Sequence, residues 1–524
     1  MSKRHAETSR SWTDLTVLGW RGEDSRGASE GLEESGTGTT GKGGMERMDS
    51  VVERRGSYDQ GQPLLGDDSE AGSDEDKLGL GGEAKAEHHH HKSKISSWTN
   101  TSLIMCANLM GAGVLALPAV MKDVGWIPGL GLIALLAFGA VYSGILITRI
   151  WMLADQRKFP AEKYGDLGRF AYGETGQRVV NSVTYFYITV VTVVFHLAAA
   201  ESMQTVFYDV GGNLCLWQYS ALTIIIVLPF AQIRSLQNVS LLAIIGSVTI
   251  IGTVLIAVAR LLQGGPLEGA HTVLINTSRK DIRPKVNSLV LIVFSYCGQA
   301  IFTELISSMQ KPKDFPKAVW SSTLTMMGSY ILIASVGYAC LGALAIAPVT
   351  DALPEDFWAQ IANVLLFGHV LVAYIIELNI LTKGMIHAWH TLDPAHWPTG
   401  RSKAAKIRRR VMWGLSTCIL IGGSFLLSNT VSFFSELLAF AGATGGIATT
   451  YIFPCLFIIK VDQGISNGER RLCKTIIVVA IIFSVVCLCN TVLDIMQKWK
   501  DIGPPFMCMS CDYKKANNLT PGVC

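Results

Sequence analysis

Long apolar segments follow one another along this chain from residue 97 to residue 495. Each comes close to the ~20 mostly apolar residues that a helix needs to cross a bilayer. Charged residues make up only 16% of the 524 residues, against roughly 25% in soluble domains, so the chain cannot cover a soluble core. It is predicted to be an all-α integral membrane protein. Its eleven predicted transmembrane helices lie at about 98–121, 129–153, 179–206, 219–233, 239–259, 287–309, 318–347, 358–382, 411–428, 432–459 and 475–495.

Residues 1–96 differ in composition from the rest of the chain. They are rich in Gly, Ser, Glu and Asp and cannot bury enough apolar surface to offset chain entropy, so we predict a disordered tail. No signal peptide precedes the first apolar run, which places this tail in the cytosol. Gln62-Pro63-Leu64-Leu65 resembles an acidic dileucine signal for sorting adaptors, although Gln60 stands where an acid is expected. The sequence leaves open a vacuolar or lysosomal membrane and the plasma membrane.

The distribution of Lys and Arg between the loops predicts the orientation of the chain. With the tail in the cytosol, the cytosolic loops contain 20 basic residues and the opposite loops contain 6. The densest group lies between Arg401 and Arg410, just before the ninth crossing. An odd number of crossings puts the carboxyl end on the exoplasmic side. The predicted organisation is a cytosolic tail (1–96), a transmembrane domain (97–496) and a short exoplasmic tail (497–524).

Sequons and cysteines on the exoplasmic side agree with this orientation. The sequons that begin at Asn276 and Asn518 both fall in exoplasmic segments and are predicted to be glycosylated. One disulfide is expected among the four cysteines on this oxidising side, and its pairing stays open because sequence alone does not determine it. These cysteines are Cys215, Cys508, Cys511 and Cys524.

Two of the predicted crossings contain interruptions near the middle of the membrane. The first crossing contains Gly111-Ala112-Gly113, and the sixth contains Phe294-Ser-Tyr-Cys-Gly298. Crossings one and six are five apart, as in transporters built from inverted five-helix repeats, where paired discontinuous helices mark the substrate site. Freed N–H groups at the start of a half-helix favour a carboxylate, and freed carbonyls at the end of another favour an ammonium group. A small zwitterion such as an α-amino acid satisfies both.

Several longer stretches around these interruptions follow a known family pattern. They run from Asn108 to Pro118, from Tyr164 to Gly173, from Val293 to Glu304, from Met309 to Ala318 and from Gly442 to Pro454. Together they resemble the amino acid/auxin permease family over about 98–495. The resemblance implies a LeuT-like fold, which is an inverted 5+5 repeat with discontinuous helices 1 and 6. It also implies secondary transport of amino acids, usually coupled to protons.

The interruptions define the predicted substrate site. Gly111, Ala112 and Gly113 are expected to contact the substrate through backbone N–H groups. The opposite wall, with one of its two aromatic residues closing over the ligand, is expected from Phe294, Ser295, Tyr296, Cys297 and Gly298. No cationic residue is placed in the site by the sequence, which favours neutral amino acids over acidic ones.

Ionisable residues inside a membrane span are costly and are functional candidates by default. The proton-coupling candidates are Glu377 in the eighth crossing, Glu201 and His196 in the third, and Glu304 in the sixth. Glu377 leads because it has the longest apolar flanks. An ion pair with the lysines of the following loop is the simpler expectation for Glu304. His196 and Glu201 are five apart, about 140° around a helix, and do not share a narrow face.

These features favour a secondary active transporter that moves amino acids by alternating access with the proton as coupling ion. Sodium-coupled relatives place an Asn four residues before the first Gly of the break, where this chain has Ala107, with Asn108 one position later. This departure disfavours sodium, which remains an alternative. A second alternative is an amino acid-sensing transceptor of the same fold.

Other functional classes find no support in the sequence. The spans contain no cluster of His, Cys or acidic residues at catalytic or metal-ligating spacing, and the chain contains no Gly-x4-Gly-Lys-Ser/Thr motif. We therefore predict no enzyme activity, no metal and no cofactor other than the coupling ion. A net charge of +3 gives no reason to expect nucleic acid, so the predicted partners are an amino acid, the lipid bilayer and sorting adaptors.

Overall fold

The structure, a computed structural model, describes residues 96–207, 214–234, 239–278, 282–354, 356–392, 402–502 and 506. In these ranges the regular structure is helical, apart from an isolated backbone bridge between Ser96 and Met309. The α-helices are α1 (Trp98–Leu109), α2 (Leu117–Val124), α3 (Trp126–Gln156), α4 (Tyr164–Val206), α5 (Leu216–Ala231), α6 (Val239–Gly264), α7 (Ile282–Ser295), α8 (Phe302–Ser308), α9 (Phe315–Leu341), α10 (Phe357–Leu392), α11 (Lys403–Thr430), α12 (Phe434–Ala441), α13 (Phe453–Val461) and α14 (Asn467–Ile502).

Nine helical segments among the described residues are long and apolar enough to cross a membrane, if α7–α8 and α12–α13 count as one segment each. Of the other two predicted crossings, the fourth is the 16-residue α5, and the first is divided into α1 and α2, of 12 and 8 residues. The all-helical membrane class is confirmed. The number of eleven crossings stays a prediction, because α5 and the divided first crossing fall below the length of a full span.

The first crossing is interrupted in its middle, as predicted. α1 ends at Leu109, Gly111 has an extended backbone with φ −102° and ψ −163°, and a 3-10 helix over Ala112–Ala116 leads into α2. Pro118 lies in the first turn of α2, where a missing N–H leaves no helical carbonyl without a donor.

The sixth crossing is interrupted as well. α7 ends at Ser295, and a short 3-10 helix over Gln299–Ile301 leads into α8. The side chain of Gln299 holds the break: its Oε1 accepts from the Gly298 amide at 2.9 Å, and its Nε2 donates to the Tyr296 carbonyl at 3.1 Å. A side-chain amide thus satisfies the backbone groups that the interruption frees, as a non-helical segment at membrane depth requires.

The two interruptions lie against each other. A Cβ built on Gly113 would lie 2.9 Å from Ser295 Oγ and 3.2 Å from Phe294 Cδ1. Only a residue without a side chain lets the break of the first crossing approach the end of α7 so closely. The prediction that the broken helices meet is confirmed.

The segment between α6 and α7 runs over the junction of α2 and α3. Its carbonyls at Val273 and Leu274 accept from the first two amides of α3, at 3.1 and 3.0 Å. Gly125, between α2 and α3, has φ +90°, and a Cβ there would lie 2.9 Å from the backbone of this segment. Asn276 lies in the same segment and is half-exposed, and its glycosylation stays a prediction.

Several sequence predictions fall on other parts of the chain. Cys215 takes part in a disulfide bond, which agrees with the expected bridge on the exoplasmic side. The predictions for the tail, its dileucine-like motif and the carboxyl-terminal residues lie outside the described residues. Those carboxyl-terminal residues are Cys508, Cys511, Asn518 and Cys524.

Candidate functional site

A small cavity lies beside the break of the first crossing, where α1, α4, α6 and α10 meet. Its volume is about 40 Å³. Apart from apolar side chains of α10, its walls are formed by Asn108, Gly111, Phe195, Gly246, His369 and Glu377. Two residues that the sequence predicted for the site, one on a broken helix and one ionisable, are therefore brought together here.

Gly111 gives the break an open face towards this cavity. The nearest atom to a Cβ built on Gly111 is Phe195 Cε1, at 4.0 Å, so the space beside it is free of side chains. The amides of Ala112 and Gly113 begin a helical segment and have no intrahelical acceptor. Free amides at the start of a helical segment favour an anion such as a carboxylate.

The residues predicted for the opposite wall occupy a different place. Gly113 contacts Ser295 and Phe294, and none of the residues 294–298 is among those that line the cavity. Two carbonyls of this stretch are already used inside the protein, since Ser295 O accepts from Tyr330 Oη at 2.7 Å and Tyr296 O accepts from Gln299. In the described conformation the sixth crossing therefore packs against the break of the first crossing and does not line the cavity.

Glu377 is the acidic residue of the cavity. It lies on α10 between the apolar residues Ile376 and Leu378. Its Oε2 is buried and has no hydrogen-bond partner in the described part of the chain. Burial of a polar atom without a partner is rare in folded proteins, which makes this oxygen a candidate binding atom.

His369 is a cavity residue that the sequence analysis did not single out. It lies eight positions before Glu377 on α10 and is only 3% exposed. Its Nδ1 lies 2.8 Å from the carbonyl oxygen of Gly246, whereas its Nε2 is buried and unpartnered among the described residues. His369 is an ionisable residue inside the predicted eighth crossing, 358–382. The cost of an ionisable residue in a membrane span made Glu377 a candidate, and the same argument makes His369 a candidate.

His196 lies at the centre of a separate polar network. Its Nδ1 is 3.0 Å from Tyr374 Oη, and its Nε2 is 2.8 Å from Ser220 Oγ. Asn429 donates to Ser220 at 2.8 Å, and Tyr374 lies 2.5 Å from Ser424 Oγ, which in turn donates to a carbonyl of its own helix. All donors and acceptors pair if the ring is neutral with its hydrogen on Nδ1. The network joins α4, α5, α10 and α11.

The other two coupling candidates lie away from the cavity. Glu201 is half-buried on α4 and is not among the lining residues. Glu304 is exposed in the first turn of α8, and the ion pair of the following loop joins Lys317 to Asp314 at 2.7 Å. The expected pairing of Glu304 with this loop stays a prediction.

A discontinuous helix that borders a pocket in a bundle of apolar helices is typical of membrane transporters. The chain belongs to the family described as transmembrane amino acid transporter protein, whose sequence pattern matches residues 94–497. The match spans nearly all of the predicted transmembrane domain. It confirms the family resemblance that the two broken crossings and their flanking residues indicated.

Two relatives from Arabidopsis thaliana are similar over most of this region. Amino acid transporter AVT1E is 26% identical over 385 residues, which are 71% of this chain and 69% of the relative. Amino acid transporter AVT1D is 25% identical over 389 residues, which are 71% of this chain and 66% of the relative. A crystal structure of MhsT in complex with L-phenylalanine is 12% identical, covers 76% of this chain and 99% of its own, and has a TM-score of 0.48.

Proposed function

We propose that this protein is a secondary active transporter that moves neutral amino acids across a membrane, with the proton as coupling ion. One observation carries the proposal. The cavity beside the break brings Gly111 together with Glu377, and Glu377 Oε2 has no partner among the described residues. An intramembrane carboxylate that faces a cavity is a functional group by default.

The substrate class follows from the groups around the cavity. The free amides at the start of the Ala112–Ala116 helix suit a carboxylate. A carbonyl oxygen accepts two hydrogen bonds, so those of Ser295 and Tyr296, which each accept one inside the protein, keep a lone pair for the ammonium group of the substrate. No Lys or Arg lines the cavity to neutralise an acidic side chain, which favours neutral amino acids. Amino acid transport is also the activity in the names of the Arabidopsis relatives.

Glu377 supplies the proton coupling. An ionised carboxylate without a partner is costly in a site of low dielectric constant, so a proton or a cationic group that reaches it lowers the free energy. Binding of the proton on one side of the membrane and its release on the other then couples its gradient to the substrate. Sodium coupling and a pure sensor of the same fold are the alternatives that the experiment must exclude.

Alternating access follows from the size of the cavity. Its volume of about 40 Å³ holds a few water-sized groups, whereas ligand sites usually span about 300–1,000 Å³. The walls must therefore move apart to admit an amino acid. We assign this motion to the divided first and sixth crossings within an eleven-crossing, LeuT-like inverted repeat. The amino terminus is cytosolic and the carboxyl terminus exoplasmic, in a vacuolar or lysosomal membrane or the plasma membrane.

Uptake by the purified protein in proteoliposomes tests this function. Each of the twenty amino acids is supplied with a pH gradient, with a sodium gradient, or with neither. The proposal expects neutral amino acids to accumulate under the pH gradient and a protonophore to abolish the accumulation. Accumulation under the sodium gradient alone would reassign the coupling ion, and saturable binding without flux in any condition would make the protein a sensor.

A further inference from the structure

We propose that His369 is a second proton acceptor of the transport site and that it shares one coupling proton with Glu377. The inference rests on the proposed function, because it takes the cavity beside Gly111 to be the transport site. Both residues line that cavity. Each carries a buried polar atom without a partner in the described ranges, Nε2 on one and Oε2 on the other.

The contact with Gly246 fixes which ring nitrogen of His369 is able to bind a proton. Nδ1 lies 2.8 Å from the Gly246 carbonyl oxygen, and a carbonyl oxygen only accepts hydrogen bonds. Nδ1 therefore carries the hydrogen in the neutral ring, and the lone pair is on Nε2. The backbone of α6 thus holds the ring in one tautomer, in which Nε2 is the basic nitrogen.

The residues that face the cavity from α1, α4 and α6 are Asn108, Gly111, Phe195 and Gly246, none of which is ionisable. His196 on α4 is turned towards Tyr374 and Ser220. Arg260 on α6 forms an ion pair with Asp356.

The helices α5 and α11 also pack against α10. The one ionisable side chain of α5 is the phenol of Tyr219, and the basic residues of α11 all precede Val411, before its membrane-embedded part. Of the other ionisable residues on elements packed against α10, Tyr187 on α4 interacts electrostatically with Glu377, and Glu201 on α4 and Asp351 in the 3-10 turn Val349–Ala352 do not line the cavity. Among the lining residues, Glu377 is the one that carries charge beside His369.

One proton makes the pair neutral in either of two arrangements. In the first, the Glu377 carboxyl holds the proton and the His369 ring is neutral. In the second, the carboxyl O–H bond has broken, an N–H bond has formed at Nε2, and a carboxylate faces an imidazolium. Loss of the proton leaves a single negative charge in the cavity, which low dielectric surroundings disfavour.

The spacing of the two residues requires a bridging molecule. Eight residues along a helix correspond to about 12 Å of rise and a rotation of about 80°. The carboxyl therefore passes its proton to water in the cavity, and that water gives one of its own protons to Nε2. The arrangement makes proton movement depend on what fills the cavity, which is the requirement for coupling.

Two substitutions separate proton binding by His369 from its contact with Gly246. His369→Asn keeps a donor at the position of Nδ1 and removes the base. His369→Gln keeps a polar atom at the position of Nε2, but an amide does not take up a proton. Each variant is compared with wild type for two rates in proteoliposomes: accumulation under a pH gradient, and exchange of labelled against unlabelled amino acid without a gradient. His387→Asn, at an exposed position on the same helix, is the control.

The proposal expects both His369 variants to lose roughly tenfold in accumulation, within the usual range of coupling between two ligands, and to keep exchange within about threefold of wild type. Retained exchange also shows that the variants fold. If His369→Asn accumulates amino acid at the wild-type rate and only His369→Gln is defective, the proposal is wrong. His369 then has a structural role.

The Glu377→Gln variant distinguishes a failure of the proposed function from a failure of the shared-proton proposal. If this variant also accumulates amino acid under the pH gradient, the proposed role of Glu377 in coupling is wrong. If it loses accumulation while His369→Asn is normal, the proposed function stands and the shared proton does not.

Discussion

The side chain of Leu109 occupies the space beside Gly298, since a Cβ built on Gly298 would lie 1.7 Å from Leu109 Cδ2. The last residue of α1 and the break of the sixth crossing thus interlock at a position where an added methyl group has to displace the Leu109 side chain. This contact joins the two discontinuous crossings directly.

Gly298→Ala tests this interlock. The added methyl group must displace Leu109 in a buried region, and overpacking of this kind costs about 1–3 kcal/mol. We expect a lower melting temperature in detergent and a loss of uptake. Gly328→Ala is the matched control, because no atom lies within 4 Å of a Cβ built on Gly328 in α9, and it should leave both measurements unchanged. Equal melting temperatures for the two variants would contradict the interlock.

Substitutions of increasing size at Gly111 fill the cavity by increasing amounts. A Cβ on Gly111 meets no atom closer than 4.0 Å, so Gly111→Ala should fold normally and raise the KM for the substrate. Gly111→Leu should abolish uptake, because its side chain fills the space beside the free amides, while the amount of protein in the membrane stays the same. Gly131→Leu, at an exposed position on α3, should transport like wild type. Normal uptake by Gly111→Leu would remove this cavity from the transport path.

Glu377→Gln is expected to separate exchange from accumulation. Glutamine resembles the protonated carboxyl but does not release a proton. Exchange should therefore continue and lose its dependence on pH, whereas accumulation under a pH gradient should fall to the level without a gradient. In wild type, uptake should rise as the pH on the substrate side falls, because a lower pH favours the protonated carboxyl. The measurement is the uptake rate across a series of external pH values.

The network around His196 is expected to stabilise the fold without taking part in coupling. Ser220→Ala removes the partner of His196 Nε2 and of the Asn429 amide. Side-chain hydrogen bonds in membrane proteins contribute about 0.6 kcal/mol on average and up to about 1.7 kcal/mol, so the melting temperature should fall. Accumulation per folded protein should match wild type at every pH. A changed pH profile would return His196 to the coupling candidates.

Asn276 provides a test of orientation. In a eukaryotic membrane, Asn276→Gln should remove one glycan and shift the protein on a gel, and glycosidase treatment of wild type should give the same shift. An absence of any shift in a glycosylating host would contradict an exoplasmic position for the segment between α6 and α7.

The sequence predicted the elements that depend on local pattern. The position of the breaks follows from glycines inside apolar runs, and the choice of Glu377 follows from the cost of an acid in a span. Both are properties of one stretch of chain. The structure confirms the breaks and places Gly111 and Glu377 in one cavity.

The remaining parts of the site depend on which helices become neighbours. The sequence analysis assigned residues 294–298 to the substrate wall, whereas the described cavity is lined from α6 and α10, and Tyr330 and Gln299 each donate to a carbonyl of this stretch. The role of residues 294–298 in substrate binding stays a prediction. The role of Gly246 in orienting His369 joins residues 123 positions apart. Contacts between residues so far apart in the chain do not produce a periodic pattern, so a single sequence does not predict them.

The hydrogen bonds between Val273, Leu274 and the start of α3 tie a surface segment to the moving parts of the proposed cycle. Because Gly125 packs against the same segment, we expect a tilt of α2 to move that segment as well. A fluorophore at the exposed Thr277, beside the sequon asparagine, would then change its brightness with each cycle and report turnover from a position outside the helical bundle.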